Sequence, residues 1–124
     1  MRAFRAICAW ILALPLLIFG SNYFLHFFPL PAGNSDDGQR LLQAMRDGGL
    51  MTAIAFSHVV AGAMLVVPRT RFAGALLQLP MTIGITAFHV TMLPSGLLLA
   101  IPMLLLNLGA LADATRLQNL VRSE

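Results

Sequence analysis

Apolar positions in this chain come in long uninterrupted blocks. Three stretches carry no Asp, Glu, Lys or Arg: Ala6 to Ser35, whose apolar part ends near Phe28, then Gly48 to Pro68, then Phe72 to Ala112. A helix needs roughly 20 apolar residues to cross the hydrocarbon core of a bilayer, at about 1.5 Å of rise per residue. The first two stretches supply one such helix each. The third is 41 residues long and supplies two, with a reversal at Leu93-Pro94-Ser95-Gly96, where proline fixes φ and glycine permits positive φ. The pattern predicts an all-α integral membrane four-helix bundle, a single domain over 1–124, with helices at about 5–28, 48–68, 72–93 and 96–113. A cleaved signal peptide is the alternative for the first helix. Its apolar run exceeds the usual signal-peptide core and no A-x-A-like site closes it, so it reads as a retained span.

The outer loop, 29–47, is the one sizeable connection. Pro29, Pro31, Gly33, Asn34 and Ser35 make its opening irregular. Asp36-Asp37 then precede a segment in which Leu41, Leu42 and Met45 share a helical face and Arg46 closes the end, charges that suit a helix dipole. A short amphipathic surface helix is expected there, either as a cap over the bundle or as a docking element for a partner.

Composition strengthens the membrane reading. The chain is 58% hydrophobic and 10% charged, against roughly 25% charged in soluble domains, which excludes an ordinary soluble protein and a disordered one. All eight basic residues are Arg, giving a net charge of +3. They are dispersed, without a basic stripe or interleaved aromatic face, so nucleic acid is not an expected partner. Their use is orientation. Arg2, Arg5, Arg69, Arg71, Arg116 and Arg122 fall on one side of a four-span chain, Arg40 and Arg46 on the other, which places both termini in the cytoplasm of a bacterial inner membrane. Phe4, Trp10 and Phe72 lie near the inner surface; Tyr23, Phe24, Phe27 and Phe28 lie near the outer one. The lone Cys8 excludes an internal disulfide or dithiol, leaving packing or acylation as its roles.

Polar groups inside a span need partners or a purpose. No carboxylate lies deep in any span, which argues against a proton-coupled four-helix exporter. Asn22 and His26 share a face of the first helix. Gln78, Thr82, Thr86 and His89 form a stripe along the third, and His58 sits about mid-depth in the second. Asn22, His26, Thr86 and His89 are the candidate pocket, opening to the outer side, with His58 a weaker member. They serve either as interhelical hydrogen-bonding groups or as a site for a quinone head group, a haem edge or a metal. His26 and His89 lie at similar depth, so joint ligation is geometrically open. No H-x-x-x-H or other spacing supports a metal site. Ala53, Ser57 and Ala61 form a small-xxx-small seam on the second helix. Pro15, Pro80 and Pro102 interrupt the first, third and fourth helices, with Thr82 available to compensate for a lost backbone bond. The seven methionines scatter as core filler.

Two segments, Asn22-Tyr23-Phe24-Leu25-His26-Phe27-Phe28-Pro29-Leu30-Pro31 and Phe88-His89-Val90-Thr91-Met92-Leu93-Pro94-Ser95-Gly96-Leu97, resemble the DoxX-like family of small bacterial membrane proteins. Phe19-Gly20 stands where that family commonly has a glycine late in its first helix. The lysine often found just after it is absent, with Asn22-Tyr23 in that region. The resemblance implies a four-helix membrane bundle and membership in a quinone- or thiol-linked redox system, and carries no settled catalytic residues. The expected function is an accessory or anchor subunit of such a system, with the lipid bilayer, a redox subunit and a second copy of the chain as candidate partners and a quinone as candidate cofactor. A non-catalytic scaffold built on the helix-two seam and the outer loop is the competing expectation; a small-solute channel is disfavoured by the absence of buried charge. No complete nucleophile, dithiol or metal constellation points to a stand-alone enzyme.

Overall fold

A computed structural model describes residues 1–29 and 35–122. Pro31, Gly33 and Asn34, expected to begin an irregular loop, lie outside the described residues. Among those described there are six α-helices and no strand: α1 (Arg2–Leu25), α2 (Asp36–Asp47), α3 (Leu50–Val66), α4 (Arg71–Met92), α5 (Leu97–Ala110) and α6 (Ala114–Arg122), with one 3-10 turn over Pro94–Gly96. Two helices, α1 and α4, are each long and apolar enough to cross a membrane. The count rises to four if α2 with α3, bent by 81°, and Pro94–Ala110 with α6, bent by 76°, are each taken as one span.

The long helices pack in a closed square. α1 lies against α3 and α5, and α4 lies against the same two, so α1 and α4 occupy opposite corners. The square holds together through small side chains. Cys8, Ala9, Leu12, Ala13 and Leu16 from α1 meet Ala61 and Leu65 from α3, Ala75 from α4 and Met103 and Ala110 from α5. Gly74 shows why: a Cβ there would lie 2.7 Å from the Met64 Cβ and 3.1 Å from the Ala61 carbonyl oxygen, so α3 and α4 approach at backbone distance. Cys8 is buried beside Gly109 of α5, a packing position.

The surface inverts the pattern of a soluble protein. Leu98 is 90% and Leu105 64% exposed, while Gln78, Thr82 and Asn107 are 0% exposed. Apolar side chains stand outward on every long helix, Ile7, Ile11, Leu14 and Ile18 on α1, Phe56 on α3, Ile83 and Val90 on α4. Exposed apolar area of this extent marks a membrane or protein contact surface, and packing by small and hydrogen-bonding residues is compatible with helices in lipid.

Helix ends depart from the sequence expectation for local reasons. α1 stops at Leu25 rather than near residue 28, because His26 turns left-handed (φ 52°, ψ 51°). Asn22 then captures the returning chain: its Oδ1 accepts from the Phe28 N–H (2.9 Å) and its Nδ2 donates to the Phe28 carbonyl (3.0 Å). The Phe28 ring closes edge-on against Phe19. The expected amphipathic helix is present as α2. Its cap Ser35 accepts from the Gly38 N–H and donates to the Met92 carbonyl at the end of α4. The sharp turn into α3 uses Gly49 at φ 78°. Beyond the expected fourth helix the chain forms a further short helix, α6.

At the opposite end, Arg71 wraps the last turn of α3, donating to the Leu65 carbonyl at 3.0 Å and the Val66 carbonyl at 3.4 Å. A cation there complements the negative end of the helix dipole. Asp113, in the break between α5 and α6, pairs with Arg5 of α1 and, at 3.6 Å, with Arg116. The Arg116 backbone N–H and the Arg5 guanidinium hold its carboxyl below the usual range.

Candidate functional site

Two polar arrangements emerge, and neither matches the sequence pocket as a whole. The first is a chain of side chains across the bundle interior. His58 Nδ1 meets Gln78 Oε1 at 3.1 Å, Gln78 Nε2 donates to Thr82 Oγ1 at 3.2 Å, Thr82 donates to Asn107 Oδ1 at 2.9 Å, and Asn107 Nδ2 donates to the Ala75 carbonyl at 2.9 Å. A backbone carbonyl only accepts, so it fixes the orientation of Asn107, and each link then fixes the next. Donation runs one way, from α3 through α4 to α5 and back to α4, and His58 carries its proton on Nδ1. Among the described residues no buried side-chain nitrogen or oxygen lacks a partner. Neither Gln78 nor Asn107 titrates, so a proton leaving His58 would stop at an amide. The arrangement clamps three helices.

The helical register explains the clamp. Gln78 and Thr82 are four residues apart and share a face of α4, which α5 covers and α3 flanks. Thr82 also contacts the carbonyl of Gln78, in its own helix. Its hydroxyl is thereby engaged away from the carbonyl that Pro80 deprives of a partner, four residues before the proline, so the expected compensation does not occur.

The second arrangement is an open cavity of about 480 Å³ at the far end of α1, lined by Asn22, Tyr23, His26, Phe28, Pro29 and Arg46. Asn22 and His26 do meet here. Asn22 is buried and shapes the wall, because both its amide atoms are engaged by Phe28. His26 is exposed to the cavity, and Arg46, from the last turn of α2, faces it. Tyr23 is held by Thr52 of α3 through a hydroxyl contact of 2.9 Å.

Thr86 and His89 belong elsewhere. Thr86 donates to the Thr82 carbonyl at 2.8 Å within α4. His89 Nδ1 lies 3.1 Å from the Leu93 carbonyl, its ring edge-on to Phe88, and it packs on Gly96. It braces the turn into α5. His26 lines the cavity at the end of α1 and His89 is not among its described lining residues, so the structure does not bring the two together there. The helix-two seam also divides. Each four-residue step rotates about 40° around a helix, so Ala53 is exposed, Ser57 half-buried and Ala61 buried against α4.

Asn107, Tyr23 and Arg46 were not among the sequence candidates. Asn107 had a signal, a single amide inside the run Leu104-Leu105-Leu106-Asn107-Leu108. Among the described residues no three His, Cys, Asp or Glu side chains gather as metal ligands. Compared with protein-family models, characterised proteins and solved structures, the chain matches none.

Proposed function

We propose that this chain is a multi-pass protein of the bacterial inner membrane, a DoxX-like four-helix bundle with cytoplasmic termini, and an accessory or anchor subunit of a quinone-linked redox system. The inside-out distribution of polar and apolar side chains supports the membrane setting, and the arginine bias supports the orientation. In this orientation the His26 cavity faces the outer side.

The cavity is the observation that carries the redox reading. Its volume of about 480 Å³ falls within the range of small-molecule sites, about 300–1,000 Å³. The lining fits a quinone head group: Phe28 offers a ring wall, while the His26 imidazole and Arg46 guanidinium are donors suited to carbonyl oxygens. Asn22 positions Phe28 and does not itself reach a ligand. A bound quinone would supply two-electron, two-proton redox chemistry. The residues of this chain would orient its carbonyls, and His26 would hold or release a proton at its edge.

The test is labelling by a photoreactive quinone analogue in detergent-solubilised protein. Label should map to residues 22–29 and 46 and fall at least fivefold in His26→Ala and Arg46→Gln. Label spread evenly over the apolar helix surfaces, unchanged in both variants, would overturn the reading.

A scaffold role is the second reading, favoured by the outward α3 face with exposed Ala53 and Phe56. Ser57→Leu tests it. Dispersal of a purified complex or homo-oligomer would support an interface there, and an intact one would assign the half-buried Ser57 to intramolecular packing.

A further inference from the structure

The end of the bundle opposite His26 holds a different cavity, of about 570 Å³, between the start of α1, the start of α4 and the α5–α6 junction. Arg2, Arg5, Arg71 and Arg116 all line it, and Asp113 is the one carboxylate among its described lining residues. Four guanidinium groups against one carboxylate leave a local charge of +3. Half of the eight arginines in the chain thus converge on one space, although they are far apart in sequence.

Each arginine is held differently. Arg5 and Arg116 share Asp113, which fixes both at the rim. Arg116 also lies over the Phe72 ring, 5.5 Å from its centroid. Arg71 is anchored through Nε and one terminal nitrogen on the last carbonyls of α3, which leaves further N–H groups of its fork for another acceptor. Arg2 is exposed and makes no ion pair among the described residues. The first turns of α1 and α4 contain no acidic residue, and neither helix has a side-chain cap. Thr70, at the cap position of α4, donates back to the Met64 carbonyl. These two positive helix ends are opposed by the C-terminal ends of α3 and α5 at the same end of the bundle, so the arginines themselves carry the positive charge.

We propose that this cavity binds the phosphate of an anionic phospholipid headgroup. Guanidinium forks match phosphate oxygens in pairs, and basic pockets between helices at the cytoplasmic surface are suited to such lipids. The surroundings favour a lipid over soluble phosphate. α6 bends 76° from the preceding helix, its Thr115 and Arg116 line the cavity, and its Leu117, Leu120 and Val121 are exposed. Exposed apolar side chains thus follow the lining residues along the same short helix, as an interfacial helix beside a headgroup site would present them. The inference rests on the membrane reading above and is independent of the quinone cavity at the other end.

Native mass spectrometry of detergent-solubilised protein, titrated separately with phosphatidylglycerol, cardiolipin and phosphatidylcholine, tests it. At about one kcal/mol for each unit of charge, a lining of +3 should favour anionic lipid by about a hundredfold. Arg2→Gln, which breaks no ion pair, should weaken that binding about fivefold. Arg40→Gln, at the opposite end and paired with exposed Asp37, should leave it unchanged. Equal binding of anionic and zwitterionic lipid, or equal behaviour of the two variants, would overturn the proposal. Millimolar inorganic phosphate supplies the second arm. Failure to displace phosphatidylglycerol below tenfold molar excess supports a headgroup site, whereas saturation by phosphate at micromolar concentration would reassign the site to a soluble anion.

Discussion

Replacing Thr82 by Val removes one hydroxyl at the middle of the interior chain and nearly preserves shape. The loss strands two groups, the Gln78 Nε2–H and the Asn107 Oδ1, whose contacts with Thr82 are 3.2 and 2.9 Å. A side-chain hydrogen bond between membrane helices averages about 0.6 kcal/mol, and the one from Thr82 to Asn107 sets a floor of about that size. A buried group left unsatisfied costs about 1–3 kcal/mol, which sets a ceiling of about 6. Partial rotation of the two amides toward other acceptors should bring the loss to about 2–4 kcal/mol. Thr91→Val is the control. That hydroxyl is exposed and bonds only carbonyls of its own helix, so its loss should stay within about 0.5 kcal/mol. Equilibrium unfolding in mixed micelles, followed through the single Trp10, reads both. Adding Asn107→Leu to Thr82→Val should cost about 1–2 kcal/mol less than the sum of the single losses, because it removes one stranded group. Equal losses for Thr82→Val and Thr91→Val, or strict additivity in the double variant, would refute the one-way chain.

Three other perturbations probe separate parts of the structure. Asn22→Ala should release the Phe28 backbone, cost about 1–3 kcal/mol and abolish quinone labelling without touching the donors, read by unfolding and labelling together. Gly96→Ala puts a Cβ against the His89 ring; it should displace the imidazole from the Leu93 carbonyl, seen as a shift of the His89 nitrogen resonances, with His58 unmoved. Asp113 has a depressed carboxyl pKa in the folded state, so the stability it contributes is present above the ordinary carboxylate pKa of about 3.9 and is lost as pH falls through the lower folded value. Asp113→Asn should remove that acid-limb loss from an unfolding-versus-pH series, leaving a flatter profile below about pH 4.

The four apolar helices were legible because their signal is local: uninterrupted apolar length bounded by charge or by Pro-Ser-Gly. α2 was legible for the same kind of reason, with Asp36-Asp37 at its start, Arg46 at its end and an apolar face between. The left-handed turn at His26 was hidden, because the side chain that stabilises it, Asn22, acts on a residue six positions later. α6 was hidden by its charge, which made a surface helix read as a tail. Of the four pocket candidates the cavity brings together Asn22 and His26, while Thr86 and His89 make contacts local to α4; depth along a helix is written in sequence, while the rotation of each helix in the bundle is not. His26 leaves α1 as its left-handed cap, whereas His89 is held against the Leu93 carbonyl and Gly96. The polar stripe on α4 was correctly a set of interior groups at Gln78 and Thr82, and its partners could be found only once α5 brought Asn107 to them. The arginine count likewise bears on orientation alone and carries no hint that four of them share one cavity.

The central claim is a membrane subunit that holds a quinone through the His26 cavity. Its most direct measurement is native mass spectrometry of the protein gently extracted from its own membrane, with His26→Ala and Arg46→Gln extracted alongside. The account predicts an adduct of quinone mass, or a co-purifying redox subunit together with that adduct, in the unaltered protein and its depletion in both variants. A bare monomer or homodimer without quinone, or an adduct equally abundant in all three, would contradict it.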